Sequence, residues 1–364
     1  MRASDNAQYG RLDRTLHRLA LGNRMVAEML FDVDQAITRR KADPPSHAAV
    51  AKGRHVFIAG LARGGTTVIL RRLHAAGSFR SLTYRDMPFV IAPSLWRRLS
   101  RRNGTPATAT AERAHGDGLD VNADSPESFD EVFWRVFDGL AYITADRLAP
   151  HTPDEEVREA YVRYVAAILA SDTTSRQRYL SKNNNNTLRL PALRQAFPNA
   201  LIVVPFRHPL AHAASLWRQH RQFSELQEAD PFVLEYMNWL GHFEFGAGHK
   251  GFAETPEELL SGDLPTSIDY WLALWLRVYA FVMRSAPVDA HFVCHEALCV
   301  DPMVWECLAR AADVPAHQAA AEPFVDKGAP AAPVPSAQLV REAEALYAQL
   351  VMRAEACLPH TVYA

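Results

Sequence analysis

The sequence predicts an α/β fold in which a mostly parallel central sheet is flanked by helices. Strand-like apolar runs alternate with segments of helical period, as in HVFIAGL before TTVILRRLHAAG and LIVVPFR before HPLAHAASLWRQH. The first of these pairs is joined by glycines, which mark a tight strand-to-helix turn. The chain has 364 residues, nearly half of them hydrophobic, enough for one large domain or two ordinary ones.

Leu12, Leu16 and Leu19, then Met25, Met29, Leu30, Val33 and Ile37, recur at helical spacing around a break at Gly22-Asn23. Two amphipathic helices are expected there, ended by DPPSH. HVFIAGL is the first strand, and its helix is closed by Gly77. RSLTY reads as a second strand. The polar, basic stretch from Pro93 to Asp124 reads as a long loop or lid. SPESFDEVFWRVF starts a helix with Ser125 as cap and Pro126 and Glu127 in the first turn. EEVREAYVRYVAAILA is another helix. RYLSKNNNN is a short strand running into a polar turn, and LRLPALRQAFPNA a helix with a proline stop. LIVVPFR is the clearest buried strand. SIDYWLALWLRVYAFVMRSA is a strongly apolar helix, AHFVCHEAL a strand with its loop, and GAPAAPVPS a linker to a terminal helix from Ser336 to Met352. This gives a helical segment over 1–50, an α/β domain over 51–330 with insertions near 93–124 and 216–265, and a C-terminal helix over 336–357.

The formal net charge of −2 points to neither a nucleic acid nor a membrane surface. Cys294, Cys299, Cys307 and Cys357 form no C-x-x-C pair and read as reduced thiols, neither a disulfide framework nor a zinc site. No apolar run is long enough to span a bilayer, and the charged N-terminus lacks the apolar stretch of a signal peptide. The expected location is cytoplasmic.

AGLARGGTTVIL, Ala59 to Leu70, meets the phosphate-loop pattern G-x-x-x-x-G-K-[ST] at Gly60, Gly65 and Thr67, but Thr66 occupies the lysine position. A glycine-rich turn lets backbone N–H groups approach phosphate oxygens, and the following helix N-terminus favours negative charge. Thr66 and Thr67 can donate hydroxyl bonds to the same group. Arg63 supplies a cation earlier in the loop and can bind phosphate through two N–H groups. A triphosphate site would also want a magnesium carboxylate at a neighbouring strand end, yet LIVVPFR ends in Arg207. The plainer alternative is a tight turn whose threonines only cap the helix. In PFRHPLAHAASLW, Pro209 fixes a helix start. Arg207 at the strand end and Ser215 two turns into that helix can then bracket a second phosphate.

Together these motifs resemble the sulfotransferases that use 3′-phosphoadenosine 5′-phosphosulfate (PAPS). In that family the 5′-phosphosulfate loop reads roughly P-[KR]-[ST]-G-[ST]-[ST]; here it reads Ala62-Arg63-Gly64-Gly65-Thr66-Thr67. The proline and the small hydroxyl residue are replaced, while the cation, a glycine and the threonines match. The family's 3′-phosphate motif has an arginine at a strand end and a serine eight positions on, as Arg207 and Ser215 are. The resemblance covers chiefly Arg54 to Pro88 and Lys182 to Ser215, and the arginine form of the loop is more similar to the carbohydrate and protein-tyrosine branches. It implies a phosphate-loop-type architecture and sulfuryl transfer without a metal. Arg63, Gly64, Gly65, Thr66 and Thr67 would hold the 5′-phosphosulfate, and Arg207 with Ser215 the 3′-phosphate. The product would be 3′-phosphoadenosine 5′-phosphate (PAP).

Transfer to a hydroxyl needs a proton acceptor and cations near the leaving phosphate. The branches that carry a glutamate after the loop helix direct attention to LTYRDMPF, where Asp86 is the one carboxylate; it is the expected base. An ion pair with Arg85 or a turn before Pro88 would be its structural role. His115 in AHGDG, oriented by Asp117, is the second candidate. Lys182 could neutralise charge on the transferring group, and Asn183 to Asn186 could bond sugar hydroxyls or form a solvated turn. Lys327 and Gly328 in FVDKG are similar only loosely to a late basic loop of the small-molecule branch. His242, Glu244 and His249 in GHFEFGAGH fit no zinc spacing and suit acceptor binding or packing. RRLSRRNG is a solvated basic face or a guide for an anionic acceptor.

The expected protein is thus a sulfotransferase acting on a hydroxyl or amine of a glycan, lipid-linked sugar or small molecule. The alternatives are a kinase or NTPase with a degenerate loop, and a non-catalytic nucleotide-binding protein. The sequence leaves the acceptor and the oligomeric state open.

Overall fold

Short runs of branched and aromatic residues become strands here because both of their faces are covered. The computed structural model describes residues 11–41, 46–100, 111–112, 120–121, 123–174, 176–259, 264–317, 323–326 and 328–358. Val56–Ile58 (β1), Phe79–Arg80 (β2), Arg178–Lys182 (β3), Leu201–Phe206 (β4) and His291–Cys294 (β5) form a five-stranded sheet in the order β2-β3-β1-β4-β5. Every neighbouring pair is parallel. Ile58 lies opposite Lys182 and Val203, Arg80 opposite Tyr179, and Phe206 opposite Cys294. The expected fold class is the observed one, with the central sheet parallel throughout.

Seven helices matter for the argument: Arg11–Gly22 (α1), Arg24–Arg39 (α2), Thr66–Ala75 (α3), Glu155–Ser171 (α4), Pro209–Ala229 (α5), Ile268–Ser285 (α6) and Ala337–Glu355 (α7). The break between α1 and α2 falls where expected, at Asn23, whose side chain caps α2 by accepting the Val26 N–H. Side-chain alternation divides the sheet into two sides. Phe57, Tyr179, Ile202 and Val204 share a core with Tyr161 and Tyr164 of α4. Val56, Ile58, Leu180 and Val203 share the other with Ile69, Leu70 and Leu73 of α3. Each of these fully buried α3 side chains is worth roughly 2 kcal/mol, so the loop that precedes α3 sits on a firm base.

Pro205 is tolerated in a central strand because β1 stops at Ile58, opposite Val203. The Pro205 carbonyl is instead used by α6, accepting the Tyr279 hydroxyl at 2.9 Å. Among the described residues no helix is long and apolar enough to cross a membrane.

Some local expectations are corrected. The second strand is only Phe79–Arg80, because Thr83 leaves the sheet to cap a short 3-10 turn, Tyr84–Asp86. Ser125 does not start a helix. The Glu127 N–H bonds the Leu82 carbonyl and Pro126 bridges to Thr83, so the backbone here serves the exit from β2 and the helix begins at Glu131. The asparagine run is not a solvated turn: Asn183 to Asn186 are all buried, in and before the 3-10 segment Asn184–Leu188.

Candidate active site

The carboxyl ends of the parallel strands meet at one edge, where open α/β sheets bind their ligands. The loop Ala59–Gly65 leaves β1 there. At Gly60 a Cβ would lie 2.7 Å from the Pro205 carbonyl oxygen, so only glycine lets the chain pass over β4. Gly65, at φ +84°, precedes α3 as its N-cap, and a Cβ there would lie 2.7 Å from Nδ1 of His295. It brings no side-chain cap to the first turn of α3, where Thr66 is buried and Thr67 half-buried. Arg63 is held at φ +70°, an unusual state for a residue with a Cβ. Its Nε donates to Ser215 Oγ of α5 at 3.2 Å.

Three residues before Ser215 on the same helix, His212 clamps the loop from below. Its Nε2–H donates to the Ala62 carbonyl at 2.8 Å. Burial drives its pKa down to about 3, with Arg207, His295 and Arg63 adding to the effect, so the ring is a neutral donor. His295, at the start of the helix after β5, is likewise held neutral, chiefly by burial and then by Arg207.

Arg207 ends β4. Its Nη2 donates to Asp326 Oδ1 at 2.7 Å and to the Gly328 carbonyl at 2.9 Å, and its Nε lies 3.7 Å from Glu296 Oε1. Burial would raise the Asp326 pKa, but the Gly328 N–H and Arg207 hold it below its ordinary value. Lys327 lies outside the described residues.

Lys182 ends β3. Its two neighbours are anchored on the α4 side of the sheet: Ser181 Oγ donates to Asp130 at 2.6 Å, and Asn183 Nδ2 to Glu131 at 2.7 Å. Burial raises the Asp130 pKa. Glu131 is lowered, because Arg189 outweighs the burial that opposes it. Arg189 grips Glu131 with two bonds, 2.9 and 3.1 Å, and both side chains are fully buried. Lys182 has the parity of Leu180 and turns toward the α3 side, where its Nζ lies 3.7 Å from Glu127 Oε1; the two side chains are 7% and 6% exposed. Next along, Asn184 donates to Glu244 at 2.8 Å and Asn185 to the Gly241 carbonyl at 3.0 Å, whereas the buried Asn186 amide has no hydrogen-bond partner among the described residues.

Asp86 is placed differently from the expectation. Phe79 packs on the α3 side, so Arg80 points to the α4 side, where it reaches Ser171. Arg80 bonds Asp86 Oδ1 at 2.5 Å, and the Thr83 N–H bonds Oδ2 at 2.8 Å. Both oxygens therefore have structural tasks. Arg85 pairs with Asp124 instead, at 2.6 and 2.8 Å. His115 and Asp117 lie outside the described residues. His242 bonds the Ser128 carbonyl, and His249 the Phe243 carbonyl and the Tyr270 hydroxyl. The described residues contain no group that could hold a metal ion.

The structure thus brings Arg63, Gly64, Gly65, Thr66, Thr67, Lys182, Arg207 and Ser215 to one edge of the sheet. Sequence reasoning missed Glu127, His212, His295 and Asp326. Of these only His212 carried a usable signal, its helical offset from Ser215.

The family model for the sulfotransferase family matches residues 55–249, a span that holds the loop, Lys182, Arg207 and Ser215. Two solved structures are similar at low identity. The sulfotransferase STF1 from Mycobacterium tuberculosis H37Rv is 15% identical, with a TM-score of 0.45 over 95% of this chain and 86% of that one. The sulfotransferase STF9 from Mycobacterium avium is 16% identical, with a TM-score of 0.42 over 92% and 75%. No curated protein matches the chain. With more than half of its length inside that family match, the chain belongs to the sulfotransferase family.

Proposed function

We propose that this sulfotransferase moves a sulfuryl group from PAPS directly to an acceptor hydroxyl or amine and releases PAP. The loop amides, Arg63, Thr66 and Thr67 hold the 5′-phosphosulfate, with Gly64 and Gly65 allowing close approach. Arg207 and Ser215 hold the 3′-phosphate, and Lys182 balances charge on the group in transit. The observation that carries this reading is the 3.2 Å bond from Arg63 to Ser215. It brings the two anion motifs, which the sequence keeps far apart, side by side at the same sheet edge.

The acceptor is a glycan, a lipid-linked sugar or a hydroxyl-bearing small molecule. Support for a polyhydroxyl acceptor comes from the buried Asn186 amide without a described partner, next to Asn184 and its bond to Glu244 of the 216–265 segment. Asp86 keeps a claim on the acceptor proton only if Arg80 or Thr83 releases one of its oxygens, and His115 would act from the 93–124 segment.

Thermal stabilisation by PAP, set beside magnesium-ATP, tests the donor. A ligand at a hundred times its dissociation constant adds about 2.7 kcal/mol of stability. The expected result is a shift with PAP that Arg63→Ala and Arg207→Ala each abolish. A shift with magnesium-ATP alone would overturn the reading.

A further inference from the structure

We infer that His295 couples nucleotide binding to a proton: the 5′ charge seated on the loop draws a second proton onto its imidazole, so the nucleotide is held more tightly as pH falls. The inference deepens the function proposed above and rests on it.

The placement of the ring is the first ground. His295 opens the short helix His295–Val300 after β5 and is 8% exposed. A Cβ on Gly65 would lie 2.7 Å from its Nδ1 but 3.5 Å from both Cγ and Cε1. The imidazole therefore turns its Nδ1 edge to the last loop residue before α3. That nitrogen has no hydrogen-bond partner among the described residues. Buried ring nitrogens normally find one, and this one lies beside a helix N-terminus, which favours anions.

The second ground is where the ring carries its hydrogen. On its far side Nε2 lies 3.7 Å from Cys299 Sγ. Burial pushes the Cys299 thiol up to about 11, and Asp326 and Glu296 add to the effect. The thiol thus keeps its hydrogen and can donate it to Nε2. The ring's own hydrogen then sits on Nδ1, a donor turned to the loop.

The third ground is the charge around the ring. Burial keeps it neutral and Arg207, at the end of β4, adds to this, while Glu296 on its own helix and Asp326 late in the chain oppose both. His212 of α5 is neutral as well, and Arg63 of the loop is directed to Ser215. An anion on the loop reverses the balance. An opposite charge within about 4–6 Å moves a pKa by about 1–3 units, and each unit, fully expressed, is about tenfold in affinity. The added proton comes from solvent and goes to Nε2, where the thiol sulfur turns from donor to acceptor. It returns to solvent when PAP leaves. The bound state has the higher pKa, so the gain is complete below the free pKa and fades as pH rises through the bound one.

Calorimetric titration with PAP, in two buffers of different ionisation enthalpy, counts the protons taken up. His295→Asn keeps a neutral amide near the place of Nδ1 but cannot ionise. Wild type should take up more protons than this variant. Lowering the pH from 8 to 6 should favour PAP binding to wild type over the variant by a further factor of about three to ten. Titration of the phosphates of PAP itself is common to both proteins and cancels. Adenosine 3′-phosphate, which brings no charge to the loop, should show no difference between them. Should His295→Asn not fold, His295→Gln is expected to lose the same coupling. Equal proton uptake by wild type and variant, or the same difference with adenosine 3′-phosphate, overturns the inference. A wild-type protein that does not bind PAP overturns the donor reading instead, and the inference falls with it.

Discussion

Replacing Asp326 by asparagine should tighten the binding of PAP. In this structure Asp326 Oδ1 occupies Arg207 Nη2 at 2.7 Å, and Asp326 is ionised at neutral pH because the Gly328 N–H and Arg207 outweigh its partial burial. A 3′-phosphate that takes Arg207 must displace this carboxylate and then tolerate its charge nearby. The Arg207 side chain is 9% exposed and that of Asp326 38%, so solvent screens the pair from one side and it is worth about 0.5–1 kcal/mol. Removing the competitor should strengthen PAP binding about two- to fivefold, given that about 1.4 kcal/mol is a factor of ten. Isothermal titration of wild type and Asp326→Asn with PAP measures this. Adenosine 5′-phosphate, which lacks the 3′-phosphate, serves as control and should show no gain. Weaker PAP binding in Asp326→Asn would mean that the carboxylate orients Arg207 for the ligand, and an equal gain for both nucleotides would place the effect away from the 3′-phosphate. Either result refutes the competition.

Two further outcomes concern stability. Asp34 is fully buried, and its pKa is pushed up to about 7 by burial, against the bond it accepts from the Leu95 N–H at 2.6 Å. A carboxyl with a raised folded pKa binds more protons folded than unfolded, so it costs stability as pH climbs from about 4 to about 7. Asp34→Asn removes that cost, and its advantage over wild type should grow by about 2 kcal/mol between pH 5 and pH 8; urea melts at both pH values giving one constant difference would refute this. Glu131→Gln should destabilise by about 3–5 kcal/mol, since it leaves the Arg189 guanidinium buried without its counter-charge. A denaturation midpoint close to wild type would show that Trp134 and Tyr142, whose rings lie 4.6 and 4.8 Å from that guanidinium, suffice to hold it.

What the sequence disclosed and what it hid differ in kind. β1 and β4 were legible because each is an apolar run that stops at a residue with another task, glycine in one and Arg207 in the other. The two anion motifs were legible because their chemistry is local: a turn and its helix, a strand end and a serine two turns on. The side of the sheet to which a carboxylate turns was not legible. It depends on the parity of β2, which is two residues long, and on where Thr83 leaves it. The Ser-Pro-Glu sequence at Ser125 satisfies the local chemistry of a helix start. It is overridden because the Leu82 carbonyl needs a donor and the Glu127 N–H supplies it. Asp326 lies 119 residues from Arg207, and nothing near either residue announces the pairing.

The three cations of the site share one arrangement. Arg63 donates to the Ser215 hydroxyl, Arg207 to Asp326, and Lys182 faces Glu127. An arginine or lysine near a sheet edge, partly shielded from water, loses much of its solvation and would swing outward unless something holds it. Each internal partner therefore keeps its cation aimed before any nucleotide binds. On the PAPS reading, the donor gains its phosphate contacts only by displacing these partners, so part of the contact energy is offset on entry. The same partners are on hand when PAP leaves, which lowers the cost of release. A hydroxyl partner is displaced more cheaply than a carboxylate, because it carries no net charge to repel the phosphate. Ser215 is therefore released from Arg63 at less cost than Asp326 is from Arg207.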